Sequence, residues 1–144
     1  MKEVPGLKVL RSTPKVIIGV DPHYAKPLSF TVLRGEEIVA QSKGDIRTLD
    51  ILLEAYHPDL VAVEDQYLNK NYNTAKKLAW VAGKVMGLCE LRKIRCESVN
   101  VSTWKACFRV LRGGHEDVSK VLGGIPDDDL ASSHLIAAWA RDNL

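Results

Sequence analysis

Long apolar runs are missing from this sequence of 144 residues. A membrane-spanning helix needs about 20 consecutive apolar residues, and no run in the sequence approaches that length. The first residues, MKEVPGLKVLRSTPK, also lack the apolar centre of a signal peptide. We therefore expect a cytoplasmic protein with no membrane segment.

Cysteine is scarce too, with three residues at Cys89, Cys96 and Cys107. They form no CxxC pair and have no histidine pair near them, which argues against a structural zinc site and against a disulfide framework. Free cysteines are usually buried, so we interpret all three as reduced packing residues. The sequence also lacks a glycine-rich phosphate loop, which argues against an actin-like ATPase.

The charged residues are unevenly distributed, although the formal net charge is only +2. Residues 66–112 contain ten basic and two acidic side chains, a net charge of +8, so the rest of the chain carries −6. A basic segment of this kind suits a polyanionic ligand bound on one part of the surface. Solvated helix faces would give the same composition, so both interpretations stay open at this point.

The length fits one compact domain. Residues 1–14 contain two prolines and a glycine without periodicity, so we predict a flexible lead-in followed by a domain at 15–144. Short apolar segments rich in β-branched residues predict five strands: Val16–Asp21, Leu28–Leu33, Glu37–Ser42, Leu60–Glu64 and Cys96–Val101. The segment between the second and third strands contains Gly35 and predicts a hairpin turn.

Apolar residues at helical spacing predict four helices between and after these strands. The first follows Asp45 as its N-cap, the second spans Asn73–Arg92, and the last spans Asp128–Arg141. A further helix should start at Ser102 or Thr103. The order of elements predicts an α/β fold with a five-stranded mixed sheet flanked by helices.

Two of the predicted strands end in a carboxylate, Asp21 and Glu64. A buried charge without a partner is costly, so both acids should lie at the carboxyl edge of the sheet, where α/β folds place ligand sites. If the two strands are neighbours, the acids converge on a site of oxygen ligands that suits Mg²⁺ or Mn²⁺ and phosphodiester hydrolysis. Either acid taken alone also fits a turn or a surface ion pair.

A third group of acids opens the last helix, in the sequence PDDDLASSHL that begins at Pro126. Aspartates at a helix start accept hydrogen bonds from free backbone N–H groups and favour the positive end of the helix dipole. At least one of Asp127, Asp128 and Asp129 should therefore serve as a cap. The same helix start can bring another acid to the carboxyl edge of the sheet.

Taken together, the segments that carry these acids resemble the RuvC-type Holliday junction resolvases of the RNase H-like superfamily. The matching segments are IIGVDP at 17–22, PDLVAVEDQYLNKN at 58–71, TAKKLAWVAGKV at 74–85, VNVSTWKACF at 99–108 and DDLASSHLIAA at 128–138. Their order is more specific than any one segment, and the DDLA form looks most similar to phage, poxvirus and fungal mitochondrial members. The resemblance implies an RNase H-like fold and cleavage of four-way DNA junctions in a bacterial or phage-infected cell.

The resemblance also implies three metal ligands: Asp21, Glu64 and Asp129. They would hold Mg²⁺ or Mn²⁺, two ions to a site. The family pattern has a fourth acid three residues after the third, where this sequence has Ser132. Residues i and i+3 share a helix face, so the serine removes one carboxylate and should weaken binding of the second ion. Three explanations account for the serine: an engineered inactive variant, natural divergence, or compensation by Asp128 or His134. His134 also fits the role of a packing or surface residue.

The resemblance and the basic segment together imply a DNA-binding set: Tyr67, Lys70, Lys105, Arg109 and Arg112. Tyr67 falls where an aromatic side chain of the family stacks on a base, although it also fits a core tyrosine. Lys105 falls near the scissile phosphate, where a cation stabilises developing charge and takes part in catalysis. A second family lysine falls on Glu116, with Lys120 only an approximate substitute.

The predicted helix Asn73–Arg92 has apolar residues well beyond one face. In the family such a helix packs on its mate in a homodimer, whereas burial by the C-terminal helices of the same chain is the alternative. The resemblance therefore implies a homodimeric endonuclease that makes paired nicks in branched DNA. A junction-binding protein with little or no cleavage is the rival that Ser132 favours. A transposase catalytic domain is disfavoured because no extra domain is present.

Overall fold

The computed structural model describes residues 14–65, 71–100, 102–104 and 127–144. The predicted lead-in therefore lies outside the described residues, apart from Pro14. Within the described part, one five-stranded sheet carries helices on both faces, which confirms the predicted fold class. None of the helices described there is long and apolar enough to span a membrane.

The strands begin at the predicted residues; the first also ends as predicted, and the ends of the other four differ from the predictions by one or two residues. Their bounds are β1 Val16–Asp21, β2 Leu28–Arg34, β3 Glu37–Gly44, β4 Leu60–Asp65 and β5 Cys96–Asn100. Three helices accompany them: α1 Ile46–Tyr56, α2 Tyr72–Leu91 and α3 Asp128–Asn143. Residues 102–104 are also helical.

The local signals at the helix starts act as the sequence predicts, with one exception. The side chain of Asp45 accepts hydrogen bonds from the first turn of α1, and Asp127 does the same for α3. Ser102 is not a cap, because it is already helical and its backbone N–H donates to the side chain of Asn100 at 2.9 Å. Gly35 has a φ of 61°, a left-handed value that suits glycine in the tight turn between β2 and β3.

The strand order is β3-β2-β1-β4-β5. The first three strands form an antiparallel meander, while β4 and β5 run parallel to β1. The two acid-bearing strands are therefore neighbours, and Val20 of β1 is opposite Val63 of β4. Because the strands are parallel, Asp21 and Glu64 come next to each other at the carboxyl edge of the sheet, as predicted.

Side-chain alternation divides the core between the two faces of the sheet. Ile18 and Val20 of β1 face one cluster, which includes Leu53 of α1 and Val85 of α2. Ile17, on the opposite face, belongs to a second cluster that is dominated by small and aliphatic residues of α3. Alternation places Asp21 and Glu64 on the face that α3 covers.

Helix α3 lies unusually close to β1 at Gly19. A Cβ atom built on Gly19 would lie 2.2 Å from the carbonyl oxygen of Ser133 and 2.7 Å from the backbone nitrogen of Ala137. Only a glycine leaves room for this approach. A buried hydrogen bond of 2.6 Å between the hydroxyls of Thr31 and Ser133 fixes the helix against the neighbouring strand. The start of α3 is thereby held beside the end of β1.

Helix α2 packs on the other face of the sheet, away from α3. Its buried residues are Leu78, Ala82, Val85 and Cys89. Of the C-terminal helices that the sequence offered as its cover, α3 does not bury its outer side, because the sheet separates the two helices. The other, which starts near Ser102, lies mostly outside the described residues. Of the cysteines, Cys89 and Cys96 are free as predicted, and Cys107 lies outside the described residues.

Candidate metal centre

Two buried carboxylates mark the carboxyl edge of the sheet. Asp21 is 5% exposed and Glu64 is 3% exposed, on the adjacent ends of β1 and β4. Both line a cleft of about 340 Å³, together with Pro22, Trp104 and Ser132 among others. A carboxylate this deeply buried is stable only with compensating partners.

Glu64 has such a partner in Trp104. The indole N–H of Trp104 donates a buried hydrogen bond of 2.7 Å to Oε2 of Glu64. The tryptophan is itself 1% exposed and packs in the cluster beneath α3. It therefore orients the glutamate from the helical turn that follows β5.

Asp129 reaches the same edge from the first turn of α3. Asp127 caps the helix by accepting from the backbone N–H groups of Asp129 and Leu130 at 2.9 and 3.1 Å. This confirms that at least one of the three acids is a cap. It leaves the side chain of Asp129 free to point towards β1, where its neighbours are cationic.

Two lysines pair with Oδ2 of the Asp129 carboxylate. Lys26 Nζ lies 2.9 Å from Oδ2, and Lys43 Nζ lies 3.8 Å from the same atom and also pairs with Asp127. Burial alone would raise the pKa of Asp129. The hydrogen bond from Lys26 and the charges of His23, Lys26 and Lys43 outweigh it and lower that pKa. Asp129 is therefore held as a carboxylate.

His23 is a candidate metal ligand that the sequence prediction missed. Its Nε2 atom lies 3.4 Å from Oδ2 of Asp21 and 3.6 Å from Oδ1 of Asp129. A signal for it existed, because residues i and i+2 of an extended chain face the same way and His23 follows Asp21 by two. The prolyl residue between them obscured this pattern, because Pro22 reads as the end of the strand.

Within the described residues, the structure brings one group of possible metal ligands together: Asp21, His23 and Asp129. One ligand atom from each lies within 4.8 Å of the others. Glu64 lines the same cleft but is not a member of this group, and its carboxylate is held by Trp104. Of the predicted trio, Asp21 and Glu64 line one cleft, and Asp129 lies close to Asp21 at the same edge of the sheet.

Ser132 lies where the resemblance expects a fourth acid. It is 2% exposed and lines the cleft, and its hydroxyl has no hydrogen-bond partner among the described residues. A buried hydroxyl without a partner is unusual in a native structure. Carboxylates, an imidazole and this hydroxyl together form a donor set that fits a divalent cation such as Mg²⁺ or Mn²⁺.

The two residues considered as substitutes for a fourth acid are not part of this group. Asp128 lies in the first turn of α3, and His134 lies two residues beyond Ser132. Neither lines the cleft. Burial lowers the pKa of His134, as does the nearby charge of Arg141, which is typical of a packing histidine.

The remaining predicted site residues lie outside the described part of the chain. They are Tyr67, Lys70, Lys105, Arg109, Arg112 and Lys120. Their proposed contacts with DNA stay predictions.

No protein-family model and no curated protein matches the sequence. Solved structures do match. RuvC of T. thermophilus, in complex with a Holliday junction substrate, has a TM-score of 0.70 and 19% identity, covering 89% of this chain and 96% of that one. The yeast mitochondrial Holliday junction resolvase has a TM-score of 0.55 and 18% identity, covering 90% and 80%.

The fowlpox virus resolvase, solved with Holliday junction DNA, has a TM-score of 0.55 and 14% identity, covering 89% of this chain and 99% of that one. Each of these similarities extends over nearly the whole domain. The chain therefore has the RNase H-like fold of the RuvC-type resolvases, as the resemblance in sequence implies.

Proposed function

We propose that this chain is a structure-specific endonuclease that resolves four-way DNA junctions by metal-assisted phosphodiester hydrolysis. One observation carries the proposal: Asp129 converges on Asp21, and Asp21 shares a cleft with Glu64 at the carboxyl edge of an RNase H-like sheet. The choice of a four-way junction is supported by the similar structures from T. thermophilus and fowlpox virus that contain junction DNA. Residues 15–144 would form the nuclease domain.

The side chains of the cleft suit this chemistry. Asp21, Glu64 and Asp129 would hold one or two Mg²⁺ or Mn²⁺ ions. Such ions, when bound, activate water for attack on phosphorus and stabilise the leaving oxygen. Trp104 keeps the Glu64 carboxylate oriented, and Lys26 adds positive charge at the rim of the cleft, 55% exposed, where a phosphate would approach.

DNA binding would extend from the cleft into the basic segment at 66–112. Tyr67 would stack on a base near the crossover, and Lys70, Arg109 and Arg112 would contact phosphates. Lys105, which follows Trp104 in the sequence, would supply the catalytic cation that the resemblance implies. These contacts are supported by the charge of the segment and by the resemblance of its motifs.

A homodimer would bring two such clefts to a junction with two-fold symmetry. The exposed side of α2 supports it, because Tyr72, Trp80 and Leu91 are 75%, 59% and 83% exposed at helical spacing. A Cβ atom built on Gly83 or Gly87 would meet nothing within 4 Å. A second helix could therefore approach this side closely.

The test is cleavage of a labelled four-way junction by purified protein with Mn²⁺ or Mg²⁺, beside a linear duplex of the same sequence. We expect paired nicks in the junction and none in the duplex. Asp59→Asn is the matched control for asparagine substitutions of the site acids. Asp59 is an exposed aspartate whose side chain accepts a hydrogen bond from the backbone N–H of Val16. Junction DNA that is bound but uncut at high Mn²⁺ would contradict the nuclease proposal.

Junction binding without efficient cleavage is the second candidate function. Ser132 supports it, because its buried hydroxyl, which has no hydrogen-bond partner in the described part of the chain, lies where the resemblance expects a carboxylate. The variant Ser132→Asp separates the two candidates. A gain of cleavage in this variant, with unchanged junction affinity, would favour the binding function for the natural sequence. If Ser132→Asp cleaves no faster than the natural protein, the natural site already has the ligands that cleavage needs.

A further inference from the structure

We propose that His23 is a ligand of the metal centre and gives it a preference for Mn²⁺ over Mg²⁺. The inference deepens the proposed function and rests on it for the presence of a divalent cation in the cleft. It assigns to His23, which comes from the end of β1, the ligand position that Ser132 leaves without a carboxylate.

The distances around His23 suit a shared cation. Two ligands at about 2.1 Å from one metal ion lie about 3 Å apart at right angles and about 4 Å apart on opposite sides. Nε2 of His23 lies 3.4 Å from Asp21 Oδ2 and 3.6 Å from Asp129 Oδ1, which falls between these limits. The three atoms can therefore surround one ion with small adjustments of side-chain torsions.

Direct hydrogen bonding does not account for the position of the imidazole. Nε2 of His23 is buried, and in the described residues it makes no hydrogen bond, although two carboxylates lie within 4 Å. A protonated histidine that served only as an ion-pair partner would aim its N–H at one of them. Nε2 instead lies within 3.6 Å of an oxygen of each acid and faces the space between them.

Two further observations point to a ligand in this space. Ser132 is only 2% exposed and lines the cleft together with His23. Its hydroxyl also has no hydrogen-bond partner among the described residues. Asp129 places Oδ2 against Lys26 and keeps Oδ1 towards His23. One oxygen is thus neutralised by lysine, and the other is left for a cation.

The chemistry of imidazole determines the preference. Mg²⁺ favours oxygen ligands, and affinity for nitrogen donors rises along the first-row metals from Mn²⁺ onwards. A centre of carboxylates alone accepts either ion, whereas a centre that includes His23 gains more from Mn²⁺. The substitution of Ser132 for an acid lowers the negative charge, and His23 restores a ligand without restoring that charge.

The experiment is Mn²⁺ titration of tag-free protein in an amine-free buffer, without DNA, followed by pulsed electron paramagnetic resonance. We expect ¹⁴N modulation of the bound Mn²⁺ signal in the natural protein, replaced by ¹⁵N modulation when histidine is ¹⁵N-labelled. His23→Ala should remove the nitrogen signal and weaken Mn²⁺ binding about tenfold or more. His23→Asp should bind Mn²⁺ without nitrogen modulation and favour Mg²⁺ more than the natural protein does.

The matched control is His57→Asn, which removes an exposed histidine after α1 and keeps a residue tolerant of its φ of 45°. It should leave the nitrogen signal and Mn²⁺ affinity unchanged. Absence of bound Mn²⁺, absence of nitrogen modulation in the natural protein, or its persistence in His23→Ala would overturn the assignment.

Junction cleavage measured in parallel distinguishes this inference from the proposed function. Cleavage without nitrogen modulation would overturn the role of His23 and leave the nuclease proposal intact. Nitrogen modulation without cleavage would support His23 as a ligand and contradict the nuclease.

Discussion

The two faces of the sheet are packed by different means. On one face, α1 and α2 meet the strands through large aliphatic side chains such as Leu53 and Val85. On the other, α3 uses alanine and serine residues and comes so close to β1 that Gly19 has no room for a Cβ atom. The first arrangement packs through long side chains, whereas in the second the backbones of α3 and β1 are in direct contact at Gly19.

This difference matches what each face carries. The tightly packed face holds Asp21, Glu64 and Asp129 at one edge, where the separation of ligand atoms decides whether a cation can bind. The other face leaves the outer side of α2 exposed, with aromatic residues available to a partner. The close approach of the α3 and β1 backbones therefore occurs on the face that carries the candidate metal centre.

The largest effect should come from Asp21→Asn, which removes the charge of a proposed metal ligand on the tightly packed face. We expect junction cleavage to fall about 10²- to 10³-fold, because a metal ligand contributes several kcal/mol to transition-state stabilisation. Junction binding, measured by gel mobility in Ca²⁺, should change little. Equal rates for this variant and the natural protein would show that the edge of this face is not the catalytic site.

The next effect should come from Gly19→Ala, which tests the close approach directly. The added Cβ would lie 2.2 Å from the Ser133 carbonyl oxygen, so α3 must move, at a cost of about 3 kcal/mol in the free energy of unfolding. Urea denaturation would measure it.

A matched glycine lies on the other side of the sheet. Gly83→Ala adds the same methyl group where nothing lies within 4 Å, and helix propensity should raise the stability by up to about 1 kcal/mol. Both variants are best made together with Trp80→Glu, so that self-association does not contribute. Equal stability changes would contradict the distinction between the faces.

A smaller effect should follow from Trp80→Glu alone, which tests the exposed side of α2. If this side forms a homodimer, a charge at a central aromatic residue should weaken association by about 2 kcal/mol, or about 30-fold. Analytical ultracentrifugation would measure the dissociation constant. Ile51→Glu, at an exposed position of α1, is the control and should leave association unchanged. A natural protein that stays monomeric at high concentration would exclude the dimer.

The smallest effect should come from Lys43→Met, which removes the ion pair with Asp127 at the rim of the same face. The hydrogen bond from Lys43 lowers the pKa of Asp127, so the pair stabilises the fold above the ordinary aspartate pKa of about 3.9 and loses this contribution as the pH falls further. At pH 7 we expect a loss below about 1 kcal/mol, because Lys43 is partly exposed.

The difference in unfolding free energy between natural protein and Lys43→Met should therefore be constant near neutral pH and shrink as the pH falls below the ordinary aspartate pKa of about 3.9 and through the lowered pKa of Asp127. Urea titrations at several pH values would measure it. A difference that grows as the pH falls would contradict the assigned ion pair.

Local sequence determined the elements and the caps of this protein. Runs of β-branched residues define where β1 and β4 begin, and Asp45 and Asp127 cap their helices because a cap depends on residues within one turn. Alternation along each strand also fixes that Asp21 and Glu64 face the same side once the strands are parallel neighbours. These features need only short-range geometry, and sequence patterns carry that geometry.

Only the tertiary structure decided which distant side chains meet at the edge. Lys26 and Asp129 are 103 positions apart, and Trp104 and Glu64 are 40 apart, so their contacts depend on how the sheet and α3 pack. His23 is a candidate ligand only because α3, which packs closely on β1 at Gly19, places Asp129 next to it. The sequence determines which groups each segment offers; packing determines their separations, because side-chain contacts across a fold arise from the whole chain and not from any one segment.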